Sequence, residues 1–119
     1  MKVYGMNTCQ TYKKALAWFD AHGIIYEAVD YRLYPLSQSE IQHAHEKSGL
    51  DIKTFFNTSG KLYKTYQLKD TYEKMRLVEI YALLSKEPML IKRPLVISDH
   101  HVLVGFKPSM YESIWCSNE

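Results

Sequence analysis

Lys2-Val3-Tyr4-Gly5-Met6-Asn7-Thr8-Cys9-Gln10-Thr11-Tyr12-Lys13-Lys14-Ala15-Leu16 opens the stretch that decides the fold, which continues through Phe19 and Gly23 to Ile24-Ile25-Tyr26-Glu27-Ala28-Val29. Lys2 to Tyr4 is short and β-prone, and Gly5 after it suits a strand that ends in a turn. From Gln10 to His22 apolar residues fall at Tyr12, Ala15, Leu16 and Phe19, the spacing of a helix with one buried stripe. Thr8 is placed to cap that helix and Gly23 to end it. Ile24 to Val29 then reads as a second strand, closing at Asp30-Tyr31-Arg32. Together these form a βαβ unit whose connection is long enough for its strands to lie parallel. Cys9 stands at the strand-to-helix junction.

The middle of the chain reads as helical. Ser37 or Ser39 can cap a helix running to Lys47, stopped by Ser48-Gly49. Ile52 to Phe56 reads as a short helical turn, and Asn57-Thr58-Ser59-Gly60 as a turn. A further helix is expected from near Thr71 to about Leu84, with Leu77, Ile80, Tyr81 and Leu84 on its inner face; Pro88 closes the segment. Leu95 to Ser98 is an apolar run and His101 to Phe106 alternates. Joined by Asp99-His100, they predict an antiparallel hairpin. A last helix is expected from Pro108 or Ser109, carrying Met110, Ile114 and Trp115. The order βαβ, then helices, then ββα is an α/β, thioredoxin-like connectivity. It predicts a mixed four-stranded sheet in a single domain over 1–119, with a helical insertion at about 33–88.

A chain of 119 residues is one domain's worth. Lys and Arg number 15 against 13 Asp and Glu, a net charge of +2, with signs mixed and no polybasic block. That balance gives no basis for direct nucleic-acid binding, and it leaves room for a small anion held by local cations. No apolar run reaches the length of a membrane span, and Met1-Lys2-Val3-Tyr4 lacks the apolar stretch of a secretory signal. The expectation is a cytoplasmic protein without membrane contact, in a compartment that keeps thiols reduced. Its two cysteines, Cys9 and Cys116, then form no structural disulfide. Neither has a cysteine or histidine at metal-ligand spacing, so no metal is expected. The five histidines read as solvated: His43 and His45 would point to different sides of a helix, and His100 and His101 share a turn.

Cys9 carries the chemistry. The first turn of a helix has unpaired N–H groups and partial positive charge, which stabilise a thiolate and make it nucleophilic near neutral pH. The same groups can receive an oxyanion. Lys13 and Lys14 add positive potential one turn on. Tyr12 stands three residues after Cys9, where a dithiol oxidoreductase has its second cysteine, so a redox cycle must use one thiol plus an external one, or Cys116. Thr11 is either a hydroxyl donor to the thiolate or oxyanion, or an ordinary first-turn residue. Arg93 has the forked geometry that suits oxyanions, although by residue type alone a solvated surface charge is the favoured reading. Pro94 after it opens a strand, and its peptide bond is cis or trans by sequence alone.

Four segments together resemble the glutaredoxin-dependent arsenate reductase, Spx and YffB-like proteins of thioredoxin fold. They are Tyr4-Gly5 through Cys9-Gln10-Thr11-Tyr12-Lys13-Lys14-Ala15, Ser48-Gly49-Leu50 through Phe55-Phe56-Asn57-Thr58-Ser59-Gly60-Lys61, Pro88-Met89-Leu90-Ile91-Lys92-Arg93-Pro94-Leu95, and Val102-Leu103-Val104-Gly105-Phe106. The resemblance implies that Cys9 is the redox cysteine, that Arg93 helps bind the oxyanion, and that the Arg93-Pro94 bond is cis. In such reductases the cysteine attacks arsenate, glutathione joins the adduct, and glutaredoxin resolves the mixed disulfide. Glutathione, or another low-molecular-weight thiol, is therefore the implied co-substrate rather than a bound cofactor. Two further arginines of the reductases fall at Asn57 and near Lys107, and a histidine that some members carry falls at Gly5. The nucleophile is kept and the oxyanion shell is thinned, with Thr11, Asn57, Lys107 and Pro94 the implied substrate-binding residues beside the catalytic Cys9 and Arg93. The Spx branch implies a different function, docking on the RNA polymerase α subunit under control of a C-x-x-C switch, for which Tyr12 leaves no second thiol.

Overall fold

Alternation along short strands divides the molecule between two hydrophobic cores. The computed structural model describes residues 1–116; positions 117–119 of the expected domain lie outside them. The strands are β1 (Lys2–Gly5), β2 (Glu27–Asp30), β3 (Leu95–Ile97) and β4 (Val102–Val104). The helices are α1 (Gln10–Ala21), α2 (Gln38–Ser48), α3 (Lys61–Thr65), α4 (Leu68–Thr71), α5 (Leu77–Lys86) and α6 (Pro108–Trp115). Single 3-10 turns cover Ile52–Phe55, Tyr72–Lys74 and Pro88–Leu90. The sheet runs in the order β2-β1-β3-β4, with β1 parallel to β2 and the other pairs antiparallel. This is the mixed four-stranded, thioredoxin-like sheet that the sequence implies.

Register assigns each row of side chains to one core. Val3 pairs with Val96, and Val96 with Leu103; this row packs on Tyr12, Ala15 and Phe19 of α1 and Tyr111 of α6. Val29, Tyr4 and Leu95 form the next row, which packs under Ile41 and Ala44 of α2 and Ile80 and Leu84 of α5. A slip of one residue would turn both rows over. Each large apolar side chain exposed by it would cost about 1.5–3 kcal/mol, so the register is firmly held. The helices between β2 and β3 thus cover one face, and α1 and α6 cover the other.

The inserted helices begin and end on specific chemistry. Ser37 Oγ accepts from Glu40 N at 3.1 Å while the Glu40 carboxylate accepts from Ser37 N at 2.8 Å, a reciprocal cap at the start of α2. At its end, Lys47 Nζ donates to the carbonyls of Ser98 and Asp99, tying α2 to the β3–β4 turn. The helix expected from Thr71 instead starts at Leu77. Met75 is extended, and the Glu79 carboxylate accepts from Arg76 N at 2.8 Å, fixing the boundary there. Leu77 is accordingly 46% exposed rather than inward. Upstream, Gln67 at φ 54 separates two short helices, α3 and α4, that the turn and loop signals did not suggest. β2 begins at Glu27 rather than Ile24, because Ile24 N still bonds to Phe19 O at the end of α1. On α6 the inner position belongs to Tyr111, and Met110 is exposed. His45 is half-buried rather than solvated. Its ring nitrogens meet the Tyr81 hydroxyl at 2.6 Å and the Leu50 carbonyl at 2.9 Å, so it is a packing residue of the α2–α5 contact.

Gly5 and Tyr12 form one packing unit at the end of β1. The Tyr12 ring lies on Gly5 so closely that a Cβ built there would stand 2.7 Å from Tyr12 Cε1. Tyr12 is buried, and its hydroxyl donates to Val3 O at 3.4 Å. The space beside Gly5 is therefore filled from the side by an aromatic ring. Gly5→Ala should lower stability by about 1–3 kcal/mol in a denaturant titration. The same change in a Tyr12→Ala background should cost almost nothing, since the ring it strikes is gone.

Candidate functional site

The strand-to-helix junction folds so that Cys9 is itself the N-cap of α1. Cys9 N donates to Met6 O at 3.0 Å, closing a turn, and Cys9 O accepts the first helical bond from Lys13 N at 3.1 Å. Its φ and ψ of -92° and 119° are the extended values of a cap residue. The expected cap, Thr8, lies one residue outside, on the exposed surface. The sulfur consequently occupies the place where a serine or aspartate oxygen would sit. The thiol makes no capping hydrogen bond, but the backbone N–H groups of Tyr12 and Thr11 stabilise its thiolate. Thr11 acts on Cys9 through its backbone, and its side chain lines the adjoining pocket.

Arg93 reaches the same sulfur from the opposite wall. It lies just before β3, where the Arg93-Pro94 peptide bond is cis. Its Nη1 donates to the Tyr31 hydroxyl at 2.8 Å. Its Nε is, among the described residues, a buried side-chain nitrogen without a partner. Burial of the Cys9 thiol pushes its pKa up, but the Arg93 N–H, the N–H of Tyr12, the Arg93 charge and the N–H of Thr11 together outweigh that, and the net direction is down. The resulting anion raises the Arg93 pKa in turn, together with the Tyr31 hydroxyl and against the burial that lowers it.

A cavity of about 360 Å³ opens beside the sulfur. Cys9, Thr11, Asn57, Arg93 and Lys107 all line it, so residues from four separate segments meet there. Pro94, expected among the substrate-binding residues, is buried and does not line the cavity. Asn57 is placed by the Asn57 N to Leu90 O bond at 2.7 Å, beside the bridge of Phe56 with Ile91. Lys107 is the N-cap of α6, so two helix starts converge on the pocket. Gly105 adopts φ 83°, and its N–H donates to Pro94 O at 2.9 Å while its carbonyl accepts from the buried Tyr111 hydroxyl at 3.0 Å. That loop is thereby bolted to both Pro94 and α6.

Lys92 and Ser59 also line the cavity and were not singled out in the sequence. Lys92 is the neighbour of Arg93, and Ser59 belongs to the turn after Asn57; both were visible only as companions of better-marked residues. Lys13 and Lys14 are exposed on α1 and do not line the pocket, so its cations are Arg93, Lys92 and Lys107. Cys116 is remote. α1 and α6 start together at the pocket, and at their other ends Trp115 packs on Trp18 and Phe19. The eight residues of α6 rise about 12 Å, whereas disulfide Cα atoms lie within about 7 Å. The two cysteines cannot pair within the chain without unfolding a helix.

The ArsC family model matches residues 4–114, nearly the whole chain and all of the segments that build this pocket. The chain belongs to the ArsC family. It is 40% identical over 112 residues to the uncharacterized protein YusI of Bacillus subtilis, covering 94% of this chain and 95% of that one. The crystal structure of a possible arsenate reductase from Streptococcus mutans superposes with a TM-score of 0.87 at 36% identity, over 95% of each chain. Similarity extends to the global transcriptional regulator Spx of Bacillus subtilis, 27% identical over 104 residues, 87% of this chain and 78% of that one. Within the ArsC family, then, this chain has both reductase-like and Spx relatives.

The electrostatics of Cys9 are directly measurable. Alkylation of a Cys116→Ser protein, followed against pH, should show a midpoint below that of free cysteine. Arg93→Ala removes the cation that favours the thiolate, so the midpoint should rise. The alkylation rate at neutral pH should then fall by about tenfold.

Proposed function

We propose that this chain is an arsenate reductase-like, monothiol reductase in which Cys9 attacks an oxyanion or a disulfide, with glutathione and glutaredoxin as the source of electrons. The carrying observation is the Cys9 sulfur at the α1 N-cap beside Arg93, facing a cavity lined by Lys92 and Lys107. Within about 6 Å of a thiolate, opposite charges and N–H donors favour both the nucleophile and a bound anion. Arg93 would hold the oxyanion, assisted by Lys107, Asn57 and Thr11 at the cavity wall.

With arsenate, the Cys9 thiolate forms an S–As bond and an arsenate oxygen leaves as water after taking up protons. A glutathione thiolate then attacks the Cys9 sulfur, the S–As electron pair passes to arsenic, and arsenite departs with arsenic reduced by two electrons. A second thiol, on glutathione or glutaredoxin, attacks the mixed disulfide and frees Cys9. With a disulfide substrate, Cys9 forms the new S–S bond and the leaving sulfur departs as thiolate.

Lysine and asparagine replace guanidinium forks in this pocket, which weakens bidentate grip on a tetrahedral anion. That thinning, together with the similarity to Spx, supports a second reading: docking on the RNA polymerase α subunit without a dithiol switch.

A coupled assay with arsenate, glutathione and glutaredoxin separates these. Turnover is expected in the parent and in Cys116→Ser and is expected to vanish in Cys9→Ser. Asn57→Arg should restore a fork and lower the KM for arsenate by roughly three- to tenfold. If the parent is inactive with arsenate and with glutathionylated protein alike, the reductase reading fails. Binding to the isolated carboxyl-terminal domain of the polymerase α chain that survives Cys9→Ser would then favour the regulator.

A further inference from the structure

Tyr31 is the residue that the sequence pattern passed over and the site depends on. It follows β2 directly, at the carboxyl end of a parallel strand, and it is 0% exposed. Its backbone N–H donates to Gly5 O at 3.1 Å, which locks it to the end of β1. Its hydroxyl donates to the Ile91 carbonyl at 3.1 Å. A phenol has one proton, so that bond commits its lone pairs to the other side, where Arg93 Nη1 arrives at 2.8 Å. The Ile91 carbonyl is itself fixed, because Ile91 is bridged to Phe56.

We infer that Tyr31 is a positioning residue for the Cys9 site: its hydroxyl, oriented by the Ile91 carbonyl, fixes the Arg93 guanidinium against the sulfur. The inference rests on the reading of Cys9 as the attacking thiolate and adds to it the group that keeps Arg93 in place. Arginine has five donors and no acceptor. Nη1 is held by Tyr31 and Nε lies buried without a partner, so besides the sulfur itself the Tyr31 hydroxyl is the group that holds the fork. Burial raises the Tyr31 pKa above its ordinary value, against the opposing pull of Arg93, which keeps the phenol a neutral acceptor at physiological pH. In this arrangement Tyr31 acts on the sulfur through Arg93, to which its hydroxyl is bonded.

The test is a double-mutant cycle read as the pH midpoint of Cys9 alkylation, with every protein carrying Cys116→Ser. Tyr31→Phe keeps the ring and removes the acceptor. It should raise the midpoint and leave about three- to tenfold less thiolate at neutral pH. In an Arg93→Ala background, the same change should move the midpoint no further. A shift of equal size in both backgrounds would mean that Tyr31 acts through strand packing, and the inference fails. No shift from Tyr31→Phe, where Arg93→Ala gives one, also overturns it and leaves the reading of Cys9 intact. A parent midpoint no lower than that of free cysteine overturns both. A measurement on the unmutated site guards against loss of folding. Nitrogen-15 NMR should show slowed rotation of the Arg93 guanidinium about its terminal C–N bonds, and free rotation would refute the fixed fork.

Discussion

A sulfur atom in the place of a capping oxygen is the constraint on which this structure turns. A helix start leaves its first N–H groups without partners, and most proteins satisfy them with a side-chain oxygen. Here the cap residue is Cys9, whose thiol bonds them poorly and whose thiolate bonds them well. The helix start is therefore left partly unsatisfied until the proton leaves or an anion arrives. Stability given up in the first turn of α1 appears as acidity at the sulfur. Arg93 works in the same direction from the far wall.

The sheet explains why these groups meet. Two rows of side chains face opposite cores, so α1 and α6 must lie on one face and the inserted helices on the other. α1 and α6 run in the same sense and begin at the same edge. The Asn57 turn and the Lys92-Arg93 segment reach that edge from the other core, through the bridge of Phe56 with Ile91. The pocket thus lies on the seam between the two cores, and each core supplies some of its wall. Tyr31 sits across that seam: its backbone is bonded to β1 and its hydroxyl to Arg93 and Ile91.

Much of this was legible in the chain itself. Periodicity marked α1, an apolar run and an alternating one joined by a short turn marked β3 and β4, and Ser37 or Ser39 marked the start of α2. The junction that carries Cys9 followed from strand, glycine and helix in sequence. What escaped detection was decided by contacts distant in the chain or by competition at a boundary. Thr8 is the better cap by composition, and the turn bond from Cys9 N to Met6 O sets the helix start one residue later. The beginning of α5 depended on Glu79 reaching back to Arg76. Lys92 and Tyr31 carry no local signature at all, since a lysine beside an arginine and a tyrosine after a strand are commonplace. Their importance arises from a partner some sixty positions away in the case of Tyr31 and Arg93.

The parallel course of α1 and α6 fixes which disulfides Cys9 can enter. With Cys116 carried to the opposite end of the molecule by α6, an electrophile that lands on Cys9 meets no second thiol of the same chain. A dithiol protein becomes lighter by two hydrogens when oxidised and keeps its own outline. This chain would have to grow: any disulfide at Cys9 would contain a second molecule, seated where the cavity admits it. Return to the thiol from such a state would be a departure rather than an internal rearrangement.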